Sequence, residues 1–280
     1  MNKVALLIPH FNNPKGLIKS LKSIDLTENI DIVIVDDGSL IDKINEDEMN
    51  GHFKANGKLI FLYLEFNKGI EYALNYGIDY ILKNNTYKYI ARLDCGDLCL
   101  ENRFKLQEDF LHNNPEIKLL GCNAEAINEE GDLLYTTVFP EKHNFIKKQM
   151  YKKTMFLHPC VMFSSQIISK IGKYPLNYKY AEDYAFFFKI VKTYKTHNLQ
   201  KTLVQYEINP NGISLLNRKK QVLCGIKIII DNFYFGFWPI YGLIRSFALY
   251  LLPNKILVKI KKSMAKNLLN NKTTFNPLLF

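Results

Sequence analysis

IDIVIVDDGS, residues 30–39, is a run of aliphatic residues that ends abruptly in a polar turn. Ile30–Val35 is too short for a helix and rich in β-branched side chains, so it reads as a buried strand stopped by Asp36-Asp37-Gly38-Ser39. Upstream, VALLIP (Val4–Pro9) reads as an earlier strand ended by proline, and Leu17–Ile24 places apolar residues at helical spacing between the two. Downstream, Leu59–Leu64 reads as a third strand. Gly69–Leu82 follows as a helix with Ile70, Ala73, Leu74, Gly77, Ile78 and Ile81 on one face. Tyr87–Leu93 is a fourth strand that runs directly into Asp94-Cys95-Gly96-Asp97. Strand, helix, strand in this rhythm predicts right-handed crossovers and an α/β fold, with a Rossmann-like, mostly parallel central sheet flanked by helices. In such sheets ligands bind beyond the carboxyl ends of the strands. Asp36-Asp37 and Asp94–Asp97 both stand at predicted strand ends and are expected on one edge of the sheet.

Beyond residue 100 the pattern is less regular. Arg103–Leu111 reads as a helix, Leu119–Ile127 and Leu133–Phe139 as strands around the polar turn 129–132, and His158–Phe163 (HPCVMF) as another strand. Asp183–Tyr194 reads as an aromatic-heavy helix. From Gln221 the character changes. Gly236–Pro253 is eighteen residues with Arg245 as its only charge, marginal for a membrane span and bounded by prolines near both ends. A helix lying in the plane of a membrane surface is expected there, and a helix packed on the body is the alternative.

The chain has 280 residues, of which 48% are hydrophobic and 23% charged, a balance that excludes wholesale disorder. The net charge of +10 is unevenly placed. From Leu216 to the end lie eleven of the 37 Lys and Arg but only one of the 27 Asp and Glu, Asp231, so the body is close to neutral. A basic tail beside apolar runs points to an anionic membrane surface; nucleic acid is the competing partner and no recognised binding motif accompanies the charge. The five cysteines form no C-x-x-C pair and no zinc-type cluster with His, which fits free thiols in a reducing cytoplasm. No secretory signal is apparent at the N-terminus.

Carboxylates gathered at neighbouring strand ends repel one another unless a positive charge sits among them. A divalent cation, Mg²⁺ or Mn²⁺, together with a diphosphate meets that need through hard oxygen ligands, and Asp94 and Asp97 are the metal candidates. The alternative is a solvated turn with Asp97 capping a helix that starts at Leu98.

IPHFNN at the first strand, VIVDDGS, Asn67-Lys68-Gly69 with Ala73–Ile78, IARLDCGDLCLENRFKLQ, HPCVMF followed by Gly172-Lys173-Tyr174, AEDYAFFFKI and NGISLLNRKKQ occur in that order from Val4 to Gln221. Taken together they resemble the family-two bacterial glycosyltransferases, inverting enzymes of the GT-A fold that build surface polysaccharides. The resemblance implies that Asp37 contacts the nucleoside base with Pro9 and Phe11 lining the same pocket, while Asp36 supports the turn. It places Asn67, Gly69, Arg92 and Asp94 on the nucleotide, Asp94 and Asp97 on the metal, and Asp183 as catalytic base, with His158 and Glu182 on the acceptor side. His158 is equally a structural hydrogen-bonder. Gly96 stands where the family often has a further aspartate, and Asn209 where a histidine is common.

The implied enzyme moves a sugar from a UDP- or TDP-sugar to a glycan or lipid-linked acceptor in capsule, lipopolysaccharide or exopolysaccharide synthesis. It would act in the cytoplasm, peripheral on the inner membrane. Residues 1–220 form the implied catalytic domain, with 1–111 on the donor side and 112–220 on the acceptor side, and 221–280 form a basic helical tail. A non-catalytic donor-binding partner and a sugar-nucleotide nucleotidyltransferase are the alternatives. The latter lacks its glycine-rich phosphate loop, since Phe11-Asn12-Asn13 follows the first strand.

Overall fold

A computed structural model describes residues 3–84, 86–208 and 217–252. Its first half holds β1 (Val4–His10), α1 (Pro14–Lys22), β2 (Asp31–Asp36), α2 (Glu46–His52), β3 (Leu59–Tyr63), α3 (Ile70–Lys83) and β4 (Tyr89–Arg92). The strands run parallel in the order β3-β2-β1-β4, with Ile8 beside Ile34 and Leu7 beside Arg92. This is the parallel sheet expected from the apolar runs. Only α2, a polar segment with Met49 as its buried residue, has no counterpart in the sequence reading.

The second half turns the sheet mixed. It contains β5 (Leu98–Cys99), α4 (Arg103–Asn113), β6 (Ile117–Ile127), β7 (Leu133–Thr137), α5 (His143–Gln149), β8 (Met162–Ser164), α6 (Ile168–Ile171), α7 (Glu182–Thr193) and β9 (Lys195–Glu207). β8 pairs antiparallel with β4 and with β6, so the sheet passes through it from one half to the other. β9 lies parallel to β6, while β5 and β7 are antiparallel additions to β9 and β6. Two expectations are corrected here. HPCVMF is not one strand: His158–Cys160 is a single 3₁₀ turn because Pro159 occupies its start, and pairing begins only at Met162. Leu98 does not open a helix, since Leu98 and Cys99 bridge to Gln205 and Val204.

β1, β2 and β4 are buried on both faces, which is why they read as unbroken apolar runs. One face packs Ala5, Leu7, Val33 and Val35 against α3 and the phenylalanines of α7. The other packs Val4, Leu6, Ile8, Ile32 and Ile34 against Leu17 and Leu21 of α1 and Phe104 of α4. Gly77 lets α3 lie close to the sheet, because a Cβ there would overlap Leu7 and come within 3.0 Å of Val35 Cγ2.

After residue 217, α8 (Arg218–Asp231) and α9 (Phe237–Leu251) form a hairpin on the body. Arg218 donates to the Leu249 and Leu252 carbonyls at 2.8 and 2.9 Å, Tyr151 donates to the Asn232 carbonyl, and Arg245 donates to the Lys152 carbonyl. One face of α9 is therefore attached to the body. Among the described residues no helix is long and apolar enough to cross a membrane.

Candidate active site

The turn after β2 is held by a buried polar cluster. Asp36 accepts from the Ser39 N–H at 2.6 Å and lies 2.9 Å from His10 Nδ1, while the Asn13 N–H donates to His10 Nε2 at 3.1 Å. With Nε2 accepting, the proton of His10 sits on Nδ1 and faces Asp36. Asp36 thus supports the turn. Asp37 is buried beside it, and its two carboxylate oxygens accept from the Lys68 and Gly69 N–H groups, both at 2.9 Å. That clasp ties the β2 turn to the start of α3. Gly69 takes a φ of +103° at this point, a conformation that suits glycine. Asn67 is exposed next to it, Phe11 is exposed at the rim of the turn, and Pro9 is buried in β1 beside Val35.

At the end of β4, the fully buried Arg92 turns back on its own loop. Its guanidinium donates to the Leu93 carbonyl and to Asp94 Oδ1, the latter at 2.5 Å. Burial opposes ionisation of Asp94, but the Arg92 guanidinium overrides it and holds the carboxyl below its ordinary range. Asp97 is driven the other way. Burial and the nearby Asp94 raise it well above the ordinary range, although the Glu207 N–H bonds to it. The loop between them is pinned by Ser20 of α1, which donates to the Asp97 carbonyl at 2.8 Å and accepts from the Gly96 N–H at 2.9 Å. Gly96 has a φ of +107°, so the loop is shaped around glycine at the position where an aspartate is missing.

The residues expected on the acceptor side, with Asp183, converge on the same place. His158 Nε2 lies 3.0 Å from the Tyr174 hydroxyl, and burial, reinforced by Arg92, pushes the imidazole down to about 3. Neutral throughout the useful pH range, it serves as a hydrogen-bonding group. Asp183 and Glu182 open α7, where the helix dipole favours acids. Burial raises both carboxyls, Asp183 to about 6 and Glu182 to about 8, with Asp94 adding to the first and Asp183 to the second. Glu182 Oε2 is buried without a hydrogen-bond partner, as suits a carboxyl that keeps its proton.

Several residues that the sequence left unassigned complete the site. Glu71, in the first turn of α3, is buried and lies in the field of both Asp37 and Glu182, so it links the two ends. Tyr174 feels Arg92, Asp183, Glu182 and Asp94 together. It is fixed by Asn75, whose side-chain amide donates to the Tyr174 carbonyl and accepts from its N–H, both at 2.9 Å. Arg103 donates to the Arg92 carbonyl at 2.8 Å and to Gln107, which in turn donates to the Cys160 carbonyl at 2.9 Å. The downstream Arg and Gln of the LDCGD stretch are therefore framework rather than ligand-facing groups. His10 and Ser20 join the site only through the folded packing, His10 at the end of β1 and Ser20 on the buried face of α1.

The result is a continuous acidic edge from Asp37 through Glu71, Glu182 and Asp183 to Asp94 and Asp97. Among the described residues no three His, Cys, Asp or Glu side chains gather closely enough to hold a metal alone. The donor set nonetheless fits a hard divalent ion: Asp94 is about 38% exposed, and such an ion needs one or two carboxylates when diphosphate oxygens and water complete its shell. Asn209 lies outside the described residues.

Comparison with known proteins identifies the family. The chain is 30% identical to an uncharacterized glycosyltransferase of Methanocaldococcus jannaschii, over 92% of this chain and 93% of that protein. It is 28% identical to the amylovoran biosynthesis glycosyltransferase AmsE of Erwinia amylovora, over 90% and 96% respectively. A UDP-Gal:alpha-D-GlcNAc-diphosphoundecaprenol beta-1,3-galactosyltransferase of Escherichia coli is 27% identical over 69% of each chain. Among solved structures, Staphylococcus aureus TarS 1–349 in complex with UDP-GlcNAc superposes with a TM-score of 0.62 at 17% identity, covering 90% of this chain and 72% of that one. The mannosyltransferase PcManGT of Pyrobaculum calidifontis, in complex with GDP-Man and Mn²⁺, gives 0.60 at 13% identity, over 99% and 77%. The Glycosyl transferase family 2 model matches residues 5–172, and this chain, with its GT-A sheet and its acidic edge, is a glycosyltransferase of that family.

Proposed function

We propose that the chain transfers a sugar, with inversion, from a UDP- or TDP-sugar to a hydroxyl of a glycan or lipid-linked acceptor in surface-polysaccharide synthesis. The observation that carries the reading is the acidic edge itself, with Asp183 and Asp94 within electrostatic reach of each other at its acceptor end. Asp183 takes the proton of the attacking hydroxyl, and its raised affinity for a proton suits a general base working near neutrality. Asp37 with Phe11 holds the base end, and Asn67, Gly69 and Asp94 face the ribose and phosphates; Arg92 and Pro9, expected on the nucleotide, are both buried, so Arg92 acts from behind through Asp94 and Pro9 only backs the pocket. Asp94, aided by Asp97, would hold Mg²⁺ or Mn²⁺, which offsets charge on the departing diphosphate. Residues 1–111 supply the donor side and 112–220 the acceptor side.

Relatives support the choice of donor and acceptor. TarS was captured with UDP-GlcNAc and the E. coli relative is named for a UDP-sugar donor and a lipid diphosphate acceptor, whereas PcManGT, captured with GDP-Man and Mn²⁺, supports the metal and not the uridine donor. A lipid-linked acceptor places the enzyme at the cytoplasmic face of the inner membrane. The test is a donor screen on purified protein, reading released nucleoside diphosphate with and without Mn²⁺. Turnover of a UDP- or TDP-sugar that is lost in Asp183→Asn is expected. UDP binding without turnover on any donor would reassign the chain to a non-catalytic donor-binding role.

A further inference from the structure

An ordinary surface helix buries its large apolar residues and shows polar ones to water. α9 is built the other way round. The residues it buries are Pro239, Gly242 and Ser246, and a Cβ at Gly242 would overlap the Tyr151 carbonyl, so the helix sits down on its small side. Trp238 and Leu243 pack on the core, but a second set of large residues points outward: Phe237 is 69% exposed, Ile244 66% and Leu251 78%, with Phe235 just before the helix at 94%. Ile240 and Phe247 continue the same stripe. A contiguous apolar face of this kind is unfavourable in water and marks a docking surface.

Charge identifies the occupant. Lys152 lies over the Trp238 and Tyr241 rings at 5.5 and 5.3 Å, and Lys219 over Tyr250 at 5.7 Å, so cations fringe the face. The sequence that follows, residues 253–280, carries six lysines and no acidic residue. The only acid from Leu216 onward, Asp231, is taken by the Tyr178 hydroxyl. Aromatic and aliphatic side chains fringed by lysine complement the boundary between lipid headgroups and acyl chains. At fifteen residues α9 is about 22 Å long, short of the roughly 30 Å hydrocarbon core, so its geometry suits lying in the surface.

The hairpin also adjoins the catalytic end. Cys224 of α8 bonds to the Lys179 carbonyl at 3.2 Å, and Lys220 lies over Tyr180, in the segment that leads into Glu182 and Asp183. We infer that the outer face of the α8–α9 hairpin docks on an anionic lipid bilayer and so holds the acceptor side of the site against the membrane surface. The purpose assigned to docking rests on the lipid-linked acceptor proposed above; the docking itself does not.

Co-sedimentation of the full chain with vesicles tests it. Phosphatidylcholine vesicles containing phosphatidylglycerol should bind the protein at least about tenfold better than phosphatidylcholine alone, with the difference shrinking in high salt. The triple variant Phe235→Ser, Ile244→Ser, Leu251→Ser alters exposed positions only and should lower partitioning roughly a hundredfold, with its melting temperature and nucleoside diphosphate release on a soluble acceptor unchanged. Equal binding by the variant, or no preference for anionic vesicles, would overturn the inference. So would a wild-type dimer in sedimentation velocity that the variant loses, which would give the face to a second copy of this chain. Vesicle binding by a protein that releases no nucleoside diphosphate would leave docking intact and reject the catalytic reading instead.

Discussion

Glu182→Gln tests the electrostatics of the proposed catalytic end without depending on any ligand. Glu182 is buried, its Oε2 has no partner, and burial with Asp183 raises the carboxyl from 4.5 to about 8. An acid whose pKa rises on folding holds its proton more tightly in the folded state, so the unfolded chain is favoured as pH climbs through that window. The full shift is worth about 5 kcal/mol at roughly 1.4 kcal/mol per unit, reached above pH 8. Its cost is about 1 kcal/mol at pH 5 and about 4 kcal/mol at pH 8. Glutamine keeps the shape, stays neutral, and offers an N–H₂ toward the field of Glu71 where the unpartnered oxygen was. Urea unfolding of wild type and variant at both pH values is the assay. The variant should gain about 3 kcal/mol on wild type between pH 5 and pH 8, Asp183 being present in both. An equal stability gap at the two pH values would refute the neutral-acid picture and mean that Glu182 is ionised and paired.

Asp183→Asn should lower transfer by at least roughly a hundredfold while UDP binding by calorimetry stays within about twofold; a variant that still turns over removes Asp183 as the base. In wild type, kcat/KM should rise about tenfold per pH unit until Asp183 loses its proton at about 6 and then level off, a limb that Glu182→Gln should keep. Gly96→Asp adds back the absent carboxylate at a φ of +107°, so it should cost about 1–2 kcal/mol in thermal unfolding and weaken UDP binding with Mn²⁺; tighter binding would contradict the strained-loop account. Asn75→Ala removes both bonds to the Tyr174 backbone and should cost about 2 kcal/mol, with an unchanged melting temperature counting against the clasp.

The first half of the fold was legible because β1, β2 and β4 are buried on both faces and written as plain aliphatic runs ended by turns. β9 was not, because KTHNLQKTLVQYE alternates loosely and its register against β6 shifts at Cys122–Asn123 and Asn123–Ala124. α2 escaped for a related reason: one buried Met49 makes no periodicity. In the site, Asp36, Asp37, Asp94 and Asp183 could be placed at element ends from sequence alone. Their partners could not. Glu71 looks like any acid in a helix's first turn, and only the approach of α3 to α7 turns it into part of the edge. The clasp of Asp37 on residues 68 and 69 spans 31 and 32 positions that no local pattern connects.

The framework around the site makes a final prediction about ligand order. A single helix, α4, grips both halves: Arg103 holds the Arg92 carbonyl at the end of β4, and Gln107 holds the Cys160 carbonyl before β8. Ser20 and the Asn75 clasp fix the loop and Tyr174 in the same way. Carboxylates held like this cannot relieve their repulsion by moving apart, so relief has to come from added positive charge. A nucleoside diphosphate alone brings further negative charge to an edge already raised above its ordinary pKa at Asp97 and Asp183. UDP should therefore bind at least tenfold more weakly in chelator than in Mn²⁺, and its stabilisation of the fold should follow. At a concentration a hundredfold above its dissociation constant with Mn²⁺, UDP adds about 2.7 kcal/mol, visible as a rise of several degrees in melting temperature, and half that or less in chelator. Equal stabilisation by UDP in chelator and in Mn²⁺ would mean that Arg92 alone supplies the countercharge, and that Asp94 serves its arginine and not a metal.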